Sequence, residues 1–218
     1  MYYLYLSYFI SPETPIYGGE KAIYIEKRSE ISKGDSSNTK YLKFPNHSGT
    51  HIDFPNHFSD SGKTINDYGP EFWHTERVHV INYEAKDEEI IDNKIFTDNF
   101  IPDHTEFLII KTNFYKKRNK VEYWNNNPGL SPSLAKQLKD KCPNLRFVGF
   151  DFISLTSYQN RLLGRKSHVE FLIKNDILLI EDMDLSNMEN KPINSITALP
   201  LLFDGLDGSP ITIIASYE

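Results

Sequence analysis

HSGTHIDFPNH, residues 47–57, carries three of the chain's seven histidines and one aspartate, with Pro45 before it and Pro55 inside it. His47, His51, Asp53 and His57 all fall at odd positions, so an extended backbone points the four side chains to one face. A helix would stack His47 on His51 but turn Asp53 away, and Gly49, Thr50 and the prolines oppose a helix. The stretch therefore reads as a bent strand. Residues four apart on a straight strand lie about 13 Å apart, too far for two imidazoles to share one ion comfortably through bonds of about 2.0–2.1 Å. The chain must curl between His47 and His51, and Gly49 is the residue that permits it. Asp53 reaches the same ion without distortion. His57, beyond Pro55, is expected beside the ion.

Imidazole with carboxylate suits Zn²⁺, Mn²⁺ or Fe²⁺, and the lack of thiolates in the stretch argues against a closed structural zinc site. Three protein ligands, His47, His51 and Asp53, leave a coordination position open for catalysis. Such an ion activates water and polarises a carbonyl, and His57 is then the general acid or base. The rest of the composition fits a globular enzyme. Of the 218 residues, 39% are hydrophobic and 25% charged, which suits a single domain over residues 1–218 with a substantial core. The net charge of −6, with only the short Lys116–Lys120 patch as a basic run, disfavours nucleic acid as a partner. The lone cysteine, Cys142, excludes an internal disulfide and suits a reducing compartment. The start, MYYLYLSYFISPETP, has no basic leader region and reads as a strand, so a cytoplasmic protein with neither signal peptide nor membrane span is expected.

Strands are expected at 2–10, 22–31, 77–83, 106–112, 145–154, 176–181 and 211–217, the first two joined by a Pro/Gly turn at 15–19. Ser131-Pro132 starts a helix that Pro143 stops after Lys141, and 161–174 is a second helix. Interspersed strands and helices define a mixed α/β chain with a large mixed sheet.

With these residues in view, the chain resembles the cyclase-type metal-dependent hydrolases, which include kynurenine formamidases, isatin hydrolases and proteins described as polyketide cyclases. Residues 47–57 match all seven defined positions of that family's HxGTHxDxPxH signature. Weaker similarity lies in Thr14–Gly19, in Val148-Gly149-Phe150-Asp151 with Ser154, and in Asp207-Gly208-Ser209-Pro210. The resemblance implies a swivelling β/β/α fold, a homodimer or homotetramer, and two divalent ions, Zn²⁺ or else Mn²⁺. It implies that His47, His51 and Asp53 hold the first ion, that Asp53 bridges to a second held with His168 and Glu181, and that His57 is the acid/base. His168 falls in the second expected helix and Glu181 ends an apolar strand, which suits that assignment. The interval between them is one residue longer than is usual in the family, so remodelling is expected at the turn 174–176. Tyr17 stands where kynurenine formamidases carry a tryptophan against the aryl substrate, followed by Gly18 in place of proline. Asp151 and Ser154 read equally well as supports of the ion site or as structural residues at a strand end. The activity expected is hydrolysis of a small-molecule amide, most like an aryl formamide such as N-formylkynurenine. The alternatives are a lactam or lactone hydrolase of the isatin type and a metal-binding protein without catalysis.

Overall fold

A computed structural model of the chain describes residues 1–97, 99–188 and 191–218. Its centre is a nine-stranded mixed sheet. Four of the strands, Val78–Asn82, Phe107–Lys111, Phe147–Phe150 and Leu178–Glu181, run parallel and lie side by side in chain order. Phe147–Phe150 and Leu178–Glu181 are buried along their whole length. This is why they read as unbroken apolar runs without alternation. The crossover into Phe147–Phe150 carries the helix Pro132–Lys141, which buries Leu134, Ala135 and Leu138. The next crossover carries Arg161–His168, and both helices lie where the sequence signals put them.

Beyond Leu178–Glu181 the sheet turns antiparallel through the short strand His51–Asp53, which is sandwiched between Leu178–Glu181 and the start of Gly208–Tyr217. Gly208–Tyr217 runs on past it to pair with Ser195–Pro200 on one edge and Tyr2–Tyr5 on the other. The expected turn-linked pairing of the first two strands does not form. Tyr2–Tyr5 docks on the C-terminal strand instead, while Tyr24–Ser29 pairs with Thr39–Lys43 in a separate hairpin. The strand at 2–10 is also shorter than expected, its remainder contributing the isolated bridge Ser7 to Met183 and backbone bonds from Leu6 to Ile213 and from Asp184 to Leu6.

Two local features aim the site residues. After the α-helical segment Arg161–His168, the chain continues as a wider π-helical turn, Val169–Lys174. A π turn takes up an additional residue without breaking the helix. The segment leading to Glu181 thus contains this π turn and the left-handed Asp176 (φ 50°) that follows it, at the turn where remodelling is expected. The second feature is at the other end of the Leu178–Glu181 strand. Asp182 is left-handed (φ 52°) and points to the opposite side from Glu181, where Arg118 clamps its carboxylate through Nε at 2.9 Å and Nη2 at 2.7 Å. The Tyr123 hydroxyl donates to the same carboxylate, and the Thr50 hydroxyl donates to the Asp182 carbonyl.

Asp182 is 1% exposed, so removing its partner strands a charge in the interior. Arg118→Ala is expected to cost about 3–5 kcal/mol in denaturant unfolding, and a loss below 1 kcal/mol would show that the pair is not what secures the end of this strand.

Candidate metal centre

The three-residue strand His51–Asp53 places His51 and Asp53 on one face by simple alternation. Its antiparallel neighbour puts Glu181 directly opposite His51, and cross-strand partners share a face. Glu181 and Asp182 therefore diverge, with Glu181 joining the histidines. His47 is not on the strand. Residues 47–50 form a loop in which Gly49 adopts φ 61°, so the curl expected at Gly49 occurs as a left-handed turn before the strand begins. A side chain on Gly49 would also press on Ile10.

The buried donors face one another with their orientations already set. His51 Nδ1 donates to the Gly49 carbonyl at 2.8 Å, and His168 Nδ1 to the Gly164 carbonyl at 2.9 Å. These bonds leave each Nε2 turned toward carboxylate oxygen. His51 Nε2 lies 3.6 Å from Asp53 and 3.4 Å from Glu181, and His168 Nε2 lies 3.4 Å from Asp53 and 3.6 Å from Glu181. A nitrogen lone pair facing a carboxylate is repulsive unless a cation lies between them. Two ligands bonded tetrahedrally at 2.0–2.1 Å to one ion stand about 3.4 Å apart, so the spacing and the donor chemistry both suit a divalent metal. Two groups of three donors could each hold an ion: His51, Asp53 and Glu181 form one, and His47, Asp53 and His57 the other. Asp53 belongs to both. The expected grouping of His47 with His51 is not one of these sets, because His47 turns toward Asp53 Oδ1 (2.8 Å) and Asp207 Oδ2 (3.0 Å).

Asp207 was not singled out from the sequence as a site residue. Its Oδ2 also accepts from His57 Nδ1 at 2.8 Å, and its Oδ1 is held by the Asn46 amide at 2.7 Å. The DGSP run was the available signal, but nothing local tells that strand to begin beside residue 47. Gly208 completes the fit, since a Cβ there would collide with the His47 ring. Asp151, by contrast, faces away from the centre and accepts from the Thr112 backbone and hydroxyl. Ser154 sits at the site, where its hydroxyl and the Leu155 N–H both donate to Glu181 Oε1.

Burial alone would lower the pKa of His47 and His168. For His47 the hydrogen bonds to Asp207 and Asp53 outweigh it and raise the value to about 10, and for His168 those to Asp53 and Glu181 raise it to about 9. His51 moves upward for the same reason. Desolvation opposes ionisation of Asp53 and Glu181, yet the surrounding imidazoles hold both below the ordinary carboxylate range. His57 is the exception: burial prevails and its pKa falls.

The centre forms the floor of a cavity of about 540 Å³ that Tyr17, Tyr158, Phe58 and Ile153 also line. In the wall of this cavity Tyr17 packs against Tyr158 at 5.4 Å, and Phe58 stacks on His168 at 4.4 Å.

The family model described as "Putative cyclase" matches residues 4–156, and the chain belongs to this Cyclase family. A kynurenine formamidase of Bacillus cereus (strain ATCC 10987 / NRS 248) is 30% identical over 179 residues, covering 82% of this chain and 80% of its own. Cyclase-like protein 2 of Arabidopsis thaliana is 24% identical over 217 residues, covering 96% of this chain and 77% of its own. Among solved structures, isatin hydrolase A from Labrenzia aggregata superposes with a TM-score of 0.80 at 18% identity, covering 98% of this chain and 93% of that one. A predicted metal-dependent hydrolase from Bacillus stearothermophilus gives 0.75 at 17% identity, covering 98% and 97%. The shared fold thus extends beyond residue 156, over the elements that carry His168, Glu181 and Asp207.

The raised values of His47 and His168 have a consequence for stability without bound metal. Their contribution is complete below the unfolded histidine value near 6.5 and is lost as pH rises through about 9 and about 10. Chelator-treated protein should therefore show a Tm that declines between pH 7 and 10, and Asp207→Asn, which removes one anionic partner of His47, should flatten the decline. An unchanged slope in that variant would show that Asp207 does not hold the His47 proton.

Proposed function

We propose that this chain is a metal-dependent hydrolase of a carbon–nitrogen bond outside peptides, acting on an aryl formamide such as N-formylkynurenine. The observation that carries the reading is Asp53, a carboxylate 1% exposed that belongs to two donor groups at once on the floor of a cavity with aromatic walls. Kinship with a kynurenine formamidase at 30% identity supports the substrate class. Two ions, Zn²⁺ in preference to Mn²⁺, would be held by Asp53 together with His47, His51, His168 and Glu181. When bound, the ions supply Lewis acidity, which polarises the scissile carbonyl and acidifies water.

The chain's own groups do the rest. His57, held through Nδ1 by Asp207, offers Nε2 for proton transfer. Its lowered pKa keeps it neutral near pH 7, ready to take a proton from water and return it to the leaving nitrogen as amine and formate separate. Tyr17 and Tyr158 give the aryl ring an apolar seat, and neutral His57 stands at the ligand end of it. The fixed orientations of His51 and His168, each secured by a backbone carbonyl, spare reorganisation during the reaction. The reading also includes a homo-oligomer in the cytoplasm. The exposed aromatic side chains Tyr3 and Tyr5 on the edge strand, with Phe9 packed on Tyr5, support self-association.

Elemental analysis and a formamide assay test this together. Two ions per chain are expected, with one lost in Glu181→Gln and both lost in Asp53→Ala. His57→Ala should retain its metal and lose at least ~10²-fold in kcat. Loss of metal in His57→Ala would make His57 a ligand through the His47–Asp53–His57 group, and opening of an isatin-type lactam without formamide hydrolysis would replace the substrate class.

A further inference from the structure

The helix that delivers His168 also carries Arg161 and Arg165, and 161, 165 and 168 follow the i, i+4, i+7 spacing of one helical face. Both arginines line the same cavity as the metal centre. Neither forms a salt bridge among the described residues, whereas Arg77, Arg118 and Arg146 are each paired with a carboxylate. Arg161 is also oriented, its guanidinium lying 4.1 Å over the Tyr158 ring and 6.0 Å from that of Tyr17. The hydroxyl of Tyr17 is buried on this side of the cavity, where the Arg161 guanidinium interacts with it. One wall of the cavity therefore presents two guanidinium groups that no carboxylate engages among the described residues, Arg161 beside the Tyr17 hydroxyl, above an aromatic seat. Glu20 is the carboxylate that lines the cavity outside the metal centre, and it engages neither arginine.

We propose that Arg161 and Arg165 form an anion subsite that selects substrates bearing a carboxylate remote from the scissile bond, on the same aryl group that rests against Tyr17 and Tyr158. A guanidinium offers its donors in a planar fork that matches a carboxylate, and stacking on an aromatic ring leaves the fork edge free. The proposal rests on the hydrolase reading above for the identity of the scissile bond, but the subsite itself needs no turnover to be detected.

The test uses a matched pair, 3-(4-formamidophenyl)propanoate and its uncharged propanamide, with the metal-loaded protein. The wild type should favour the carboxylate by at least about 10-fold in kcat/KM, the scale of a hydrogen bond to a charged group. In Arg161→Gln/Arg165→Gln that ratio should fall to about one. In parallel, calorimetry with the amine product, 3-(4-aminophenyl)propanoate, should show binding at least about 10-fold weaker in the double variant at equal metal content. Equal rates on the two formamides in the wild type, or equal product binding by the two proteins, would overturn the subsite while leaving the hydrolase reading in place. Competition by inorganic phosphate as effective as that of the product would also overturn it, by showing a site for any anion. If neither formamide is cleaved but the product still binds in an arginine-dependent way, the subsite stands and the hydrolase reading falls.

Discussion

Two carboxylates, Asp53 and Glu181, are buried within reach of the same two imidazole nitrogens, and the rest of the structure is arranged around what that demands. Anions taken out of water into a low-dielectric interior are costly unless cations meet them. Here the answer is a ring of imidazoles whose Nε2 atoms are aimed at carboxylate oxygen by backbone carbonyls on the far side. The geometry leaves a gap of metal-ligand size between nitrogen and oxygen. Protons can fill it, which is why the histidine pKa values climb, and a divalent ion can fill it better because one ion satisfies several donors at once.

Holding this arrangement takes long-range order in the sheet. Four parallel strands bring Leu178–Glu181 to the edge of an apolar block, and the three-residue strand His51–Asp53 closes onto it in antiparallel register. Glu181 and Asp182 are consecutive, yet they serve opposite sides of the sheet. One faces the metal centre and the other is locked by Arg118 and Tyr123. The second ionic cluster works as a counterpart to the first, since the left-handed turn at Asp182 ends the strand where Glu181 must point inward.

The cavity above the centre is chemically divided. Its floor is acidic and built for cations, its walls are aromatic, and one rim is basic. A neutral amide would use the first two of these surfaces. The third contributes no donor to the metal groups, which is the reason to connect it with selection among substrates. The same helix supplies His168 to the floor and Arg161 and Arg165 to the rim, so reaction and selection are mechanically joined in one element.

Much of this was legible in the chain. Parity placed His51 and Asp53 on one face, Ser131-Pro132 marked the helix that follows, and alternation separated Glu181 from Asp182. These are local properties, set by backbone geometry over a few residues. The helix that carries His168 was legible too, but its continuation as a π turn was not, because that depends on where His168 must sit relative to the sheet. Tertiary structure alone decided the pairing of the first strand with the last, the approach of Asp207 to His47 and His57, and the grouping of donors that sets His57 with His47 and Glu181 with His51. Each of these joins segments far apart in sequence, or, for the donor groups, depends on such a joining. Register across such distances is settled by the packing of whole sheets, and no short-range pattern encodes it.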